Sequence, residues 1–296
     1  MRISDLAITL VMAASFVVAA PAAHGQLNRT AASVAGNDAN NCSLVAPCRT
    51  IGHAVSQTNP GGEVVVLDSA GYGPFTIDRA ITVQAAPGVY AGVTAPAGNA
   101  IQINAGVADR VVLRGLTING LGTGSAGIAF TGGGAELHVE NCVINGFVDW
   151  GIISFFALRV QDTIVRDSGT GIHVDNAGAP VNATLERVQL KSNSLRGVLA
   201  WRNATVTVRD SVATLNGTGF RAMNGGVLNI ENSLATENST GVSASPTGIV
   251  RISNTMVVDN AIGLEVGTGT METWSNNKVS GNSNDLSGSL TTVLQK

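Results

Sequence analysis

From position 197 onward the chain repeats one pattern of apolar and polar positions every 22 residues, with rows opening at Gly197, Gly219, Gly241 and Gly263. The residue after each glycine is apolar (Val198, Phe220, Val242, Leu264), and two further on come Ala200, Ala222, Ala244 and Val266. A second alternating run follows: Val206 and Val208, Leu228 and Ile230, Val250 and Ile252. Asp210, Asn232, Asn254 and Asn276 then share one column, and Asn216, Asn238, Asn260 and Asn282 another. Short apolar runs with period two are strands with one buried face. No row places apolar residues at i, i+3, i+4 and i+7, so helices are excluded there. A unit of this length that cannot bury its own apolar face must stack on its neighbours, which predicts a solenoid. The leucine-rich repeat has a similar period, but its fixed leucine and asparagine pattern is absent.

Stacking pairs each strand with its counterpart at about 4.8 Å, so like residues fall over like and the asparagine columns become ladders. Glycine is expected to supply the positive φ that corners need, and the chain has 36 of them. The prediction is an all-β, single-stranded parallel β-helix of about nine or ten coils, roughly 45 Å long at the sheet spacing. The earlier coils are less regular. Strands are expected at 75–77, 81–83, 101–103, 111–113 and 116–118, and rows at Gly127, Gly151 and Gly171, with an insertion around 176–180. Trp274 is expected in an inward column with Val208, Ile230 and Ile252.

The beginning of the chain has a different pattern. Residues 1–25 read as a secretory signal: Arg2, an apolar run over 6–20, and Ala23-His24-Gly25 before Gln26. The mature chain is then secreted or periplasmic, with no transmembrane segment. Cys42 and Cys48 lie in a polar loop and are expected to form a disulfide in an oxidising compartment. The alternative, a metal pair, has no His/Cys cluster beside it in sequence. Cys142 is expected to be a small core residue. Residues 50–58 place Ile51, Ala54 and Val55 on one helical face, and this short helix, with His53 in it, is expected to cap the first coil. The expected organisation is 1–25 signal, 26–62 disulfide loop and capping helix, 63–285 parallel β-helix, and 286–296 C-terminal cap.

The run Asn40-Asn41-Cys42-Ser43 … Pro47-Cys48-Arg49-Thr50-Ile51, then Pro60-Gly61-Gly62-Glu63-Val64-Val65-Val66-Leu67 and glycine-rich coils, resembles exported bacterial proteins of the pectin-lyase-like group. The resemblance covers the mature chain and implies a right-handed parallel β-helix. It implies little about chemistry, since the group mixes polysaccharide lyases, hydrolases, esterases, epimerases, adhesins and proteins without known activity.

Charge narrows the partners. Only 12% of residues are charged, the formal net charge is −3, and there is no basic run, so nucleic acid is not an expected partner. The outward positions after each row glycine are expected to face solvent. They are Ala129 and Thr131, Ile153 and Phe155, His173 and Asp175, Leu199 and Trp201, Arg221 and Met223, Ser243 and Ser245, and Glu265 and Gly267. With the turns before the glycines, they gather Asp149, Trp150, Phe155, His173, Asp175, Arg196, Trp201 and Arg221 in one ribbon. Trp150, Phe155, Arg196, Trp201 and Arg221 are the candidate substrate-binding residues, because sugar rings stack on aromatic faces and guanidinium groups bind carboxylates. Asp149, His173 and Asp175 are the candidate catalytic groups, as a carboxylate pair for hydrolysis or a base for a lyase.

The motifs that the resemblance would lead one to seek in an enzyme are missing. There is no Asp-Asp pair at the turns, no Gly-His-Gly and no acidic cluster for Ca²⁺. Glu237 and Asp259, one row apart, give the one weak signal for Ca²⁺; no metal site and no other cofactor is expected. His138 is expected on a solvated strand face. The leading expectation is an extracellular module binding extracellular or cell-wall polysaccharide without catalysis. The alternatives are a polysaccharide lyase or glycoside hydrolase, and a structural, adhesin-like surface protein.

Overall fold

The structure is a computed structural model and describes residues 27–294; the segment expected to be a signal, 1–25, lies outside them. The chain winds into a parallel β-solenoid of about 10 turns. Each full coil contributes strands to three faces. On the first face lie Leu27–Ala32, Thr58–Val66, Ile81–Ala85, Arg110–Arg114, Glu136–Glu140 and Ala157–Gln161. The later halves of Thr170–Glu186 and Arg196–Arg209 continue that face, and Val227–Glu231 and Ile249–Ser253 extend it. The second face is made of short strands such as Ile164–Arg166, Gln189–Lys191, Val212–Thr214 and Leu234–Thr236. The third face is built by the ends of Leu116–Phe130 and Val143–Ser154, the starts of Thr170–Glu186 and Arg196–Arg209, and then Thr218–Met223 and Thr240–Ala244. These pairings are all parallel, because a coil returns to the same face in the same direction.

Inward residues form one continuous core along the axis. Phe130, Ile152, Ile172, Val198, Phe220 and Val242 are fully buried. Register is kept by like-on-like stacking: Val198 over Phe220, Phe220 over Val242 and Val242 over Leu264. The expected insertion is present as a register break between Asn176 and Val181.

Two devices fix the coils. The first is a buried ladder at one corner, Asn193–Asn216–Asn238–Asn260–Asn282. The backbone N–H of each of the first four donates to Oδ1 of the next at 2.9–3.0 Å, and so does its Nδ2. Each Nδ2 also reaches back to a carbonyl of the preceding coil, for example from Asn216 to Leu190 O at 3.0 Å. The last rung ends on Asp285, whose Oδ1 accepts from the Asn282 amide nitrogens at 3.1 and 2.8 Å. Buried amides with every donor paired contribute specificity as well as stability.

The second device corrects the reason expected for the row glycines. Positive φ falls on other glycines, such as Gly146, Gly225 and Gly281, and on non-glycine corner residues, among them Asp210, Leu215, Asn232, Glu237, Asn254 and Asp259. Gly127, Gly151, Gly171, Gly197, Gly219 and Gly241 are needed for clearance. A Cβ on any of them would sit 2.5–2.7 Å from the carbonyl oxygen of the glycine one coil on.

Trp274 is a further correction. Thr273, not Trp274, stacks on Ile252, because the span from Gly263 to Thr270 is one residue shorter than that from Gly241 to Ile249. Trp274 therefore falls on the outward position and is half-buried. Near the start, a helix spans Ile51–Gln57, with Thr50 Oγ1 accepting from His53 N at 3.1 Å as its N-cap. Ile51, Ala54 and Val55 are its buried residues. Cys42 and Cys48 are joined as a disulfide and Cys142 is free and buried. Among the described residues, no helix is long and apolar enough to cross a membrane.

Candidate functional site

The third face is where the chemistry-bearing side chains gather, but they do not lie on an open ribbon. The expectation that all outward positions face solvent is overturned. Ala129, Ile153, His173, Asp175, Leu199 and Ser243 point outward and are nevertheless buried. The physical reason is that large side chains from neighbouring coils lie over them. Trp150 and Phe155 pack over a small apolar cluster of Ala126, Ala129 and Ile153 on the outside of the coil.

His173 is the centre. Its ring lies between Trp150, one coil before, and Trp201, one coil after. The centroid distances are 6.2 and 5.6 Å, and the His173–Trp201 pair is stacked with 26° between planes. The three do not share one column. Trp150 is in register with Thr170, three residues before His173, and Trp201 with Asp175, two residues after it. The stack therefore runs diagonally across three coils. Neither ring nitrogen of His173 has a hydrogen-bond partner. Burial, with smaller repulsion from Arg196 and Arg202, outweighs attraction from Asp175 and lowers its pKa to about 4. The ring is thus neutral at pH 7.

These residues line a cleft of about 230 Å³ with Asp149, Arg196 and Leu199. Arg196 is half-buried, and burial first, then Arg221 beside it, hold its pKa below the ordinary guanidinium value. The Nε atoms of Arg196 and Arg221 are buried without a partner. Neither guanidinium forms an ion pair among the described residues, unlike Arg114, Arg159, Arg187 and Arg251, each of which faces a carboxylate. Arg196 in the lining of the cleft and Arg221 beside it are two unpaired cations placed to receive an anionic group.

The candidate carboxylates are not brought together as a free pair. Asp149 is exposed and accepts from Ser125 Oγ at 2.6 Å. Asp175 is 4% exposed and bound by Nε and Nη2 of Arg202. Arg202 was not among the residues expected at the site. Its signal in sequence was its place one residue beyond the position that stacks on Asp175. Hydrolysis needs one carboxyl group on each side of the bond, both able to exchange protons or attack. Here one of the two is committed to an arginine. His138 lies away from the cleft on the first face, with Nε2 2.8 Å from Glu136 and Arg159 on the same carboxylate. A larger groove, about 470 Å³, runs along a corner past Asp210, Asn232 and Asn254, but the side chains there bond one another, Asn254 donating to Asn232 and Asn232 to the Asp210 carboxylate.

Comparison with known proteins agrees with this architecture. A family model described as a right handed beta helix region matches residues 153–292. No curated protein matches the sequence. Among solved structures, pectate lyase Pel9A superposes with a TM-score of 0.65 at 16% identity, over 91% of this chain and 78% of that one. XylC in complex with xylose gives a TM-score of 0.64 at 8% identity, over 84% of this chain and 70% of that one. An alginate lyase from Paenibacillus sp. str. FPU-7 gives 0.60 at 12% identity, over 86% of this chain and 96% of that one. At these identities the likeness is one of fold.

Proposed function

We propose that this chain, a right-handed parallel β-helix repeat protein of pectin-lyase-like fold, is an exported polysaccharide-binding module whose ligand carries acidic groups. One observation carries the reading: two half-buried arginines without carboxylate partners, Arg196 and Arg221, stand beside the Trp150–His173–Trp201 stack. Trp150 and Trp201 offer partly exposed indole surface to a sugar ring, and the arginines offer paired donors to its carboxylate. Asp149 and the adjacent backbone complete the rim. Phe155 packs on the same apolar cluster as Trp150. Two of the solved structures of similar fold are a pectate lyase and an alginate lyase, which is consistent with a carbohydrate ligand.

Binding fits the geometry better than catalysis. A general base works best with a pKa near the operating pH, and His173 is held near 4 while Asp175 is bound by Arg202. The disulfide of Cys42 and Cys48 supports an oxidising, extracytoplasmic setting, and residues 1–25 have the pattern of the signal that would deliver the chain there. The helix Ile51–Gln57 covers the first coils in this reading.

The test is a panel of neutral and uronate polysaccharides, followed by tryptophan fluorescence and by product formation in the same samples. A fluorescence change is expected with uronate polymers only, without product. Trp201→Ala should abolish it, and Arg196→Gln should weaken affinity about tenfold or more, the worth of a charge-assisted hydrogen bond. Product formation lost in His173→Gln would replace this reading by an enzymatic one.

A further inference from the structure

The disulfide has a third neighbour. One imidazole nitrogen of His53 and the Sγ atoms of Cys42 and Cys48 all lie within 4.8 Å of one another. Sequence separates His53 from the cysteines by a turn and the helix start, so only the fold brings the three together.

Hydrogen bonds hold the frame around them in addition to the sulfur–sulfur bond. Ala31 holds both cysteines by its backbone: its N–H donates to Cys42 O at 2.7 Å and its carbonyl accepts from Cys48 N at 3.0 Å. Asp38 ties down the segment between Cys48 and the helix, accepting from Arg49 N, Thr50 N and Thr50 Oγ1 at 2.7–2.9 Å. The Thr50 cap fixes the first turn of the helix that carries His53. Both cysteines are fully buried, and His53 is half-buried.

We propose that Cys42, Cys48 and His53 form a thiol-gated site for a thiophilic divalent cation of the zinc class. In the disulfide form the sulfurs carry no charge and do not ligate. Two electrons and two protons from a dithiol, which itself becomes a disulfide, convert the pair into two thiols. Binding of the cation then releases both thiol protons and forms two metal–thiolate bonds, with neutral imidazole as third ligand and water as fourth. Two thiolates and a divalent cation sum to zero charge, which suits a buried position.

The probe is Cd²⁺, read by its sulfur-to-metal charge-transfer absorbance, on the full chain before and after reduction. A phosphine serves as reductant: with one water it takes the disulfide to two thiols and becomes a phosphine oxide, and it is removed before titration. One equivalent of Cd²⁺ is expected to bind the reduced protein and none the oxidised protein. His53→Ala should weaken binding at least about tenfold while the charge-transfer band remains. Cys42→Ser with Cys48→Ser should remove the band. Cys142→Ser should change nothing, since burial pushes that thiol up to about 11. Circular dichroism of the same samples reports the fold. Equal affinity in His53→Ala, binding by the oxidised protein, loss of binding in Cys142→Ser, a folded reduced protein that takes no Cd²⁺, or loss of fold on reduction would each overturn the proposal.

Discussion

At the scale of single residues, His173 couples the candidate site to stability. In the unfolded chain a histidine titrates near 6.5, and in the folded protein this one titrates at about 4. Between those values the unfolded state binds the proton and the native state does not. Stability should therefore fall as pH drops from about 6.5 to about 4, by about 3 kcal/mol from this group, and not further below. Urea unfolding at a series of pH values checks this, and His173→Gln should flatten that part of the profile. A second expectation concerns Asp175, buried with Arg202 as its ion partner. Arg202→Ala should cost about 2 kcal/mol in the same assay by leaving a buried carboxylate unpaired. His173 and Asp175 were legible from the sequence as outward residues in adjacent columns, and their burial was not. Period-two alternation says which way a side chain points. It does not say that an indole three register positions earlier, on another coil, will lie over it.

At the scale of the element, the glycine rows and the asparagine columns were both visible as a period, and only the columns carried their reason with them. The columns became ladders because a side-chain amide can donate to one coil and accept from another. Glycine was expected to supply the positive φ of corners, and some glycines do, such as Gly225 and Gly281, but the row glycines do not, and many corner angles belong to residues such as Leu215 and Glu237. What a sequence cannot display is the approach of two backbones, and it is the carbonyl of Gly241, 2.6 Å from a Cβ at position 219, that demands glycine there. Gly219→Ala is expected to destabilise by about 1–3 kcal/mol, the range for overpacking, measured by denaturant midpoint at unchanged slope. The misplaced Trp274 has a simpler cause: one residue fewer in the preceding turn moves the side chains of that strand to the opposite face, and the next strand is back in the 22-residue register.

At the scale of the molecule, coils touch mainly their neighbours, so the solenoid is close to one-dimensional. Excising residues 241–262 should therefore rejoin matching positions, leave Asn238 facing Asn282, and preserve both the strand signal and the cleft on earlier coils. Excising half as many residues should not. Circular dichroism and the uronate-binding assay separate these outcomes.

The asparagine ladder also gives the rod a direction. Each of the first four rungs gives its backbone N–H and one of its two side-chain protons toward the C-terminal end, to an acceptor on the coil that follows. A chain interrupted after any of these coils would end on a buried amide still seeking an oxygen. Asp285, whose carboxylate is a pure acceptor, ends such a sequence without asking for another partner. The column thus works like a line of clasps with a stop at its end, and the stop is a carboxylate.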